Sequence, residues 1–352
     1  MYDIAIVGLG PAGSTFARLV DSRKYKVAAF DRKAPDHPEK HAKPCGGLLA
    51  PDAQRALARF GLSIPQDVIA SPQIFYVKTI DLDSGLTNNY QRFYLNIDRS
   101  KFDLWMMSQI PDSVDVYSDT QVTRIWEEAG TYNIEFRRDG HLERVSAKYI
   151  VGADGAKSVV SRQFFSRDMQ CFRLCIQESY AQNDQAPFFS CIFDSQNSDS
   201  YSWTLSKDGH FIFGGAYAIK GGALAFERQK QNLKRMDVHL SGLIKREACL
   251  VYRPHAPRDI FLGREHVLLL GEAAGFISPS SFEGISGALN SAYLLSRVFN
   301  SDTPDILKAY KKSSLKLRIR YLMKIVKAHI LFNRVLRRFI MKSQIKHIEV
   351  IR

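Results

Sequence analysis

Little in this 352-residue chain suggests a covalent or metallic scaffold. Its five cysteines, Cys45, Cys171, Cys175, Cys191 and Cys249, form an odd set without CxxC spacing or nearby paired histidines. That argues against a disulfide framework and a zinc site, so reduced thiols and no bound metal are expected. Long apolar runs are also missing, because none reaches the roughly eighteen residues that a membrane span requires. Residues 1–20 open directly on a buried-strand pattern and leave no room for a signal peptide, which points to a cytoplasmic chain. There are no internal repeats and no low-complexity linker, so any second sheet should be interleaved with the first rather than appended. Acids are scarce in one region only. Over 306–352, fourteen Lys or Arg stand against the single acid Glu349, a balance of +13 that equals the net charge of the whole chain. The basic character therefore belongs to the tail. No nucleic-acid recognition motif accompanies it, and no nucleic-acid partner is expected.

What is present begins at residue 2. The stretch 2–17, YDIAIVGLGPAGSTFA, reads as a buried strand over 4–7, a turn with Gly8, Gly10 and Gly13, and a helix from Pro11. Gly8 permits a tight turn, Gly10 lets backbone approach a pyrophosphate, and Gly13 lets helix pack on strand. The helix N-terminus then faces the phosphates with unpaired N–H groups and a positive dipole end. A second apolar run, 27–30, ends in Asp31, placed to bind ribose hydroxyls. Strand, turn, helix, strand and acid together predict a dinucleotide site.

The Cys45-Gly46-Gly47 loop behind Pro44 suits backbone passing close to a flat ligand. A helix is expected over 52–60, capped by Asp52 and ended by Gly61. Strands are expected over 73–82 and 90–97, and a helix over 102–109. Short strands should follow near 114–117, 121–127, 131–137 and 142–146, the last pair turned at Asp139-Gly140. Next comes a strand ending in Gly152-Ala153-Asp154-Gly155. A β-rich block over 172–220 has strands at 188–193, 201–205 and 210–217, with a turn at Asp208-Gly209. Helical sequence follows over 222–245, then a third buried strand ending in Gly271-Glu272, and a helix of small residues to about 299. Three strand ends bearing glycine and acid predict a cofactor larger than one phosphate site can hold.

With those residues in view, the chain resembles the flavoprotein superfamily of aromatic hydroxylases, halogenases and geranylgeranyl reductases over most of its length. GLGPAG with Asp31, VGADGAKSVV (151–160) and LLLGEAAGF (268–276) resemble its three FAD fingerprints, in order. Within it, KPCGGLL (43–49), YSWTL (201–205) and FIFGGAY (211–217) resemble the geranylgeranyl reductase branch. The resemblance implies an α/β fold, in which a glutathione-reductase-like, Rossmann-type FAD-binding domain is interleaved with a β-sheet substrate domain. The expected boundaries are 1–72, 98–170 and 250–300 for the first, 73–97 and 171–249 for the second, and a basic helical region over 301–352.

Carried over by position, the resemblance implies that Gly8, Gly10, Ala12 and Gly13 hold the pyrophosphate and Asp31 the adenosine ribose. It sets Cys45, Gly46 and Gly47 beside the flavin, Arg99 on the phosphate or ribityl part, and Val122 at the adenine. Gly271 and Glu272 would meet the ribityl or ribose hydroxyls, and Gly284 with Ile285 the pyrimidine edge of the flavin, where helix N–H groups favour the charge of the reduced ring. Tyr201 and Trp203 would line the substrate cavity. The implied activity is FAD-dependent reduction of carbon–carbon double bonds in an apolar, isoprenoid or lipid-like substrate, with an unidentified electron donor. A flavin monooxygenase and a membrane-associated flavoprotein without turnover are the other readings. Three departures stand out: Glu272 replaces the family's Asp, the arginine after the second fingerprint is displaced to Arg162, and Leu205-Ser206 replaces Phe-Pro.

Several residues admit two readings. Cys45 is a packing residue or a group beside the flavin, and as the one catalytic candidate it lacks a histidine partner. Trp203, taken alone, reads as a core aromatic. Asp154 serves the nucleotide or caps the helix after it. In the tail, Leu307, Tyr310, Leu317, Tyr321, Ile325, Ala328 and Phe332 recur at helical spacing among lysines and arginines. Such a helix either packs on the body or makes a peripheral contact with an anionic membrane through 306–352, which would place the protein at the inner face of the membrane.

Overall fold

The computed structural model describes residues 1–181, 189–234, 238 and 240–350. Strand Tyr2–Val7 is almost wholly buried, as a central strand covered on both faces must be. It pairs in parallel with Val27–Phe30 on one side and with the far half of His141–Gly152 on the other. Val267–Leu269 continues the parallel set. The registers match Val7 to both Phe30 and Gly152, and Gly152 to Leu269. Four strands thus end level, and the loops at Gly8, Asp31, Asp154 and Gly271 leave from one sheet edge, where α/β sheets bind ligands.

His141–Gly152 corrects the expectation of a short strand at 142–146 followed by a separate one. It is a single strand, whose first half pairs antiparallel with Thr131–Arg138 and whose second half joins Tyr2–Val7. The meander is therefore an excursion of the nucleotide sheet. Its turn falls at Asp139-Gly140, both with positive φ, as a tight hairpin demands.

A second sheet runs in the order Leu243–Tyr252, Phe172–Tyr180, His210–Tyr217, Ser202–Lys207, Phe189–Phe193, Ile74–Asp81, Leu86–Asn96 and Leu48–Leu49. Helix Gly222–Lys234 packs on it through Phe226, stacked 5.1 Å from Phe213. Helical structure does not extend to 245, because Leu243–Tyr252 is a strand paired along Phe172–Tyr180. Parts of two expected elements, Phe188 and 235–237 with 239, lie outside the described residues.

Asp52 is not a cap. Helix Pro51–Arg59 begins at Ala50, and Asp52 pairs instead with Arg55 one turn on. Asp98 does cap its helix, Arg99–Ser108, by accepting from Ser100 and Lys101 N–H groups. The tail forms three helices, Ile306–Ser313, Leu315–Phe332 and Arg334–Lys342. Tyr310, Leu317, Tyr321 and Ile325 enter the core built on the nucleotide sheet, so the periodic apolar face expected from the sequence packs on the body.

Candidate functional site

The first glycine loop is built by close contact. Gly8 has φ +94°, and a Cβ there would lie 2.6 Å from the Asp154 Cα. A Cβ on Gly13 would overlap the Gly8 carbonyl oxygen, whereas one on Gly10 would meet nothing within 4 Å. Protein packing therefore requires two of these glycines, and the third borders open space. Helix Pro11–Leu19 starts at Gly10 with no side-chain cap, so its first N–H groups suit an anion. Asp31 braces the loop by accepting from Leu9 N–H at 2.5 Å and Lys33 N–H at 2.8 Å. Thr120 N–H donates to the Asp31 carbonyl, which brings half-buried Val122 near that end of the site.

Asp154 accepts from the Val159 N–H at 2.6 Å, so it does secure the start of helix Val159–Phe164. Its other oxygen is buried without a partner, and burial pushes the carboxyl above its ordinary range. Gly271, at φ +54°, packs on Ala12 and on Ala288 of helix Ile285–Asn300. Glu272 is held from two sides: Oε1 accepts from Tyr252 N–H at 2.9 Å and Oε2 from Lys43 Nζ at 2.5 Å. The longer side chain thus bridges the two sheets, and Lys43 comes from the segment just before Cys45.

The Cys45-Gly46-Gly47 loop faces strand Ser202–Lys207. Tyr201, Trp203, Leu205 and Lys207 alternate onto one face. Lys207 Nζ donates to the carbonyls of Gly46 at 2.8 Å and Ile97 at 2.7 Å. Gly47, at φ +66°, has no room for a Cβ against Ile97 and Lys207, whereas Gly46 meets only Leu205, at 3.8 Å. Of the two adjacent glycines, Gly46 is the one that leaves space for a ligand. Burial lowers the Lys207 ammonium to about 8. Burial also opposes ionisation of the half-buried Cys45 thiol, but Arg99, the Gly47 N–H, Lys207 and Lys43 outweigh it and hold the thiol below its ordinary value. Arg99 in turn pairs with buried Asp103 at 2.8 Å, and Lys33 lies 3.5 Å from the same carboxylate.

Tyr201 is buried and donates to the Ser281 carbonyl at 2.8 Å, tying the second sheet to the loop before Gly284. Trp203 packs 5.8 Å from Tyr201 and leaves its indole Nε1 buried without a partner. Gly284 and Ile285 begin the helix Ile285–Asn300, whose first turn is capped by Glu283 through the Ser286 N–H at 2.7 Å. A carboxylate therefore already occupies part of that helix end. A cavity of about 590 Å³ lies elsewhere, between the 194–200 loop and the tail helices around Arg253, Phe332 and Arg337, and none of the expected site residues lines it.

Sequence reasoning missed Lys43, Lys207 and Asp103. The alternation running from Tyr201 through Trp203 to Lys207 was the available signal for one of them. The other two depend on contacts more than two hundred residues apart, or on which face of Arg99–Ser108 turns inward.

A family model described as an FAD binding domain matches residues 1–174. Protein CbrA of Escherichia coli O6:H1 (strain CFT073) is 47% identical over 347 residues, covering 99% of this chain and 94% of that protein. This chain belongs to the CbrA family. Its nucleotide-binding half is an FAD-binding domain, and the observed loop fits the cofactor: Gly10 leaves open space before an uncapped helix N-terminus. Solved structures share the fold. A geranylgeranyl bacteriochlorophyll reductase-like protein from Thermoplasma acidophilum superposes with TM-score 0.78 at 18% identity, covering 96% of this chain and 90% of that one. The p-nitrophenol 4-monooxygenase PnpA from Pseudomonas putida DLL-E4 superposes with TM-score 0.72 at 14% identity, covering 99% and 93%. Among the described residues no helix is long and apolar enough to cross a membrane.

Proposed function

We propose that this FAD-dependent oxidoreductase reduces carbon–carbon double bonds of an isoprenoid or lipid-like apolar substrate. The observation that carries this reading is Lys207, whose buried ammonium is fixed to the Gly46 carbonyl opposite Tyr201 and Trp203 on the same strand face. Bound FAD, once reduced by an external two-electron donor, supplies the hydride. Lys207 supplies the proton that completes saturation and recovers it from solvent, a role suited to an amine whose pKa lies near 8. Lys43 and Glu272 fix the Cys45 loop to the nucleotide edge, and Arg99 with Asp103 supports it from below. Tyr201, Trp203 and Leu205 present an apolar wall that excludes water from the reacting carbon. In this reading 1–72, 98–170 and 250–300 form the cofactor domain, and 73–97 and 171–249 form the substrate domain. Gly8, Gly10, Ala12 and Gly13 hold the pyrophosphate, Asp31 and Val122 the adenosine, and Glu272, Gly284 and Ile285 the flavin end.

The test is mass spectrometry of prenyl lipids after anaerobic incubation with the dithionite-reduced holoenzyme. A gain of one H2 per double bond, lost in Lys207→Met, supports the reading. Unchanged lipids would remove it. The likeness of fold to PnpA favours a second reading, a flavin monooxygenase, which would instead consume oxygen and NAD(P)H and leave a hydroxylated product.

A further inference from the structure

We propose that the last two helices dock this protein on an anionic lipid bilayer. Helix Leu315–Phe332 has two apolar faces. One, through Leu317, Tyr321, Ile325 and Ala328, is buried on the body. The other is open to solvent: Leu315 is 53%, Ile319 51%, Met323 64% and Val326 51% exposed. Their spacing of four, four and three residues makes one stripe, and at roughly 100° per residue it lies opposite the buried face. The next helix, Arg334–Lys342, extends the apolar surface with Leu336 and Phe339, which are 45% and 68% exposed.

This face is held outward. Arg337, on the inner side of the second helix, pairs with Asp81 at 2.9 Å and Asp83 at 2.6 Å, so the helix cannot roll its apolar side inward without breaking a buried ion pair. Exposed apolar residues grouped on two successive helices in this way mark a binding surface.

Charge decides the occupant. Exposed Lys316, Arg320, Arg338 and Lys342 border the apolar residues, and 306–348 contains no acid. A second copy of the same face would bring like charges together, whereas anionic headgroups complement them. The helices would lie in the plane of the interface, apolar side down. The docked helix also reaches the site: Lys324 lies 3.8 Å from Glu283 beside Gly284, and Phe332 meets Phe193, which contacts Tyr201 at 6.2 Å between ring centres. The proposal stands apart from the choice between reductase and monooxygenase.

The test is flotation of the full-length holoenzyme with phosphatidylcholine vesicles, with and without phosphatidylglycerol. The carrier of the test is the pair Met323→Glu and Phe339→Glu, at exposed positions where the melting temperature should not move. Recovery with the anionic vesicles, reduced roughly tenfold in the double variant and by high salt, is the expected result. No flotation, equal recovery on neutral vesicles, or recovery indifferent to the double variant would each overturn the proposal. So would a dimer that sediments intact and falls apart in the double variant without any lipid binding.

Discussion

Arg337 donates to Asp81 at 2.9 Å across 256 residues of chain, and neither side chain is more than 3% exposed. The most basic segment of the protein is thereby fastened to a strand of the second sheet. Arg337→Met strips two carboxylates, Asp81 and Asp83, of their buried partner and should cost about 3–5 kcal/mol of stability. Urea unfolding of the purified protein measures it, and a loss under about 1 kcal/mol would mean that water or a neighbour replaces the guanidinium.

The glycine loop separates packing from ligand binding. Gly13→Ala should destabilise the protein even without cofactor, because its methyl group overlaps the Gly8 carbonyl. Gly10→Ala should leave the melting temperature of the apoprotein unchanged, since its methyl group meets open space, yet lower the flavin retained on purification. Absorbance of bound flavin per chain, read beside the apoprotein melting curve, tests both. Equal flavin content in Gly10→Ala would remove the pyrophosphate from that position.

Stability should rise with pH through the Lys207 titration. Its folded value is about 8, below the roughly 10.4 of a free lysine, so between those values the unfolded chain binds more protons than the folded one. Stability from this group is therefore lacking below pH 8 and is gained up to about pH 10.4, by at most roughly 3 kcal/mol. Subtracting the pH profile of Lys207→Met from that of the wild type isolates the term. A flat difference across the window would show an ordinary, solvated lysine.

Thiol reactivity should rank by electrostatic surroundings. Cys45 is held low by Arg99 and two lysines against the cost of burial, whereas burial pushes Cys249 to about 11 and Cys191 to about 12. Near pH 7 iodoacetamide should modify Cys45 faster than the other four cysteines, because the thiolate is the nucleophile. Bound FAD should slow that reaction if the loop adjoins the flavin. Peptide mapping of the alkylated protein, with and without cofactor, reads out both statements.

The nucleotide-binding half was legible in the sequence because its determinants are local. A buried strand, a turn at Gly8 and a helix at Pro11 follow within a dozen residues, and two further strand ends repeat the pattern. Such signals depend on backbone sterics and burial, which neighbouring residues set. Asp52 does not cap its helix because the helix starts one residue earlier than its apolar pattern suggests, at Pro51, a position that proline favours. The strand His141–Gly152 read as two because a strand that passes from a hairpin to a parallel pairing changes its burial pattern half-way.

What the sequence determined by itself was the dinucleotide fingerprint at Gly8 to Asp31, the existence of three glycine-and-acid strand ends, and the concentration of charge in the tail; that those strand ends lie level along one edge came from the strand registers. Only the tertiary structure decided that Glu272 meets Lys43, that Lys207 meets Gly46, and that Arg337 is buried on Asp81. These pairs join residues 161 to 256 positions apart, and nothing in local spacing distinguishes a lysine or arginine that will be buried from one that will be solvated. The tail carries the same lesson in its apolar residues. Helical periodicity identified one apolar face, and the fold, by burying that face, left a second one open to water.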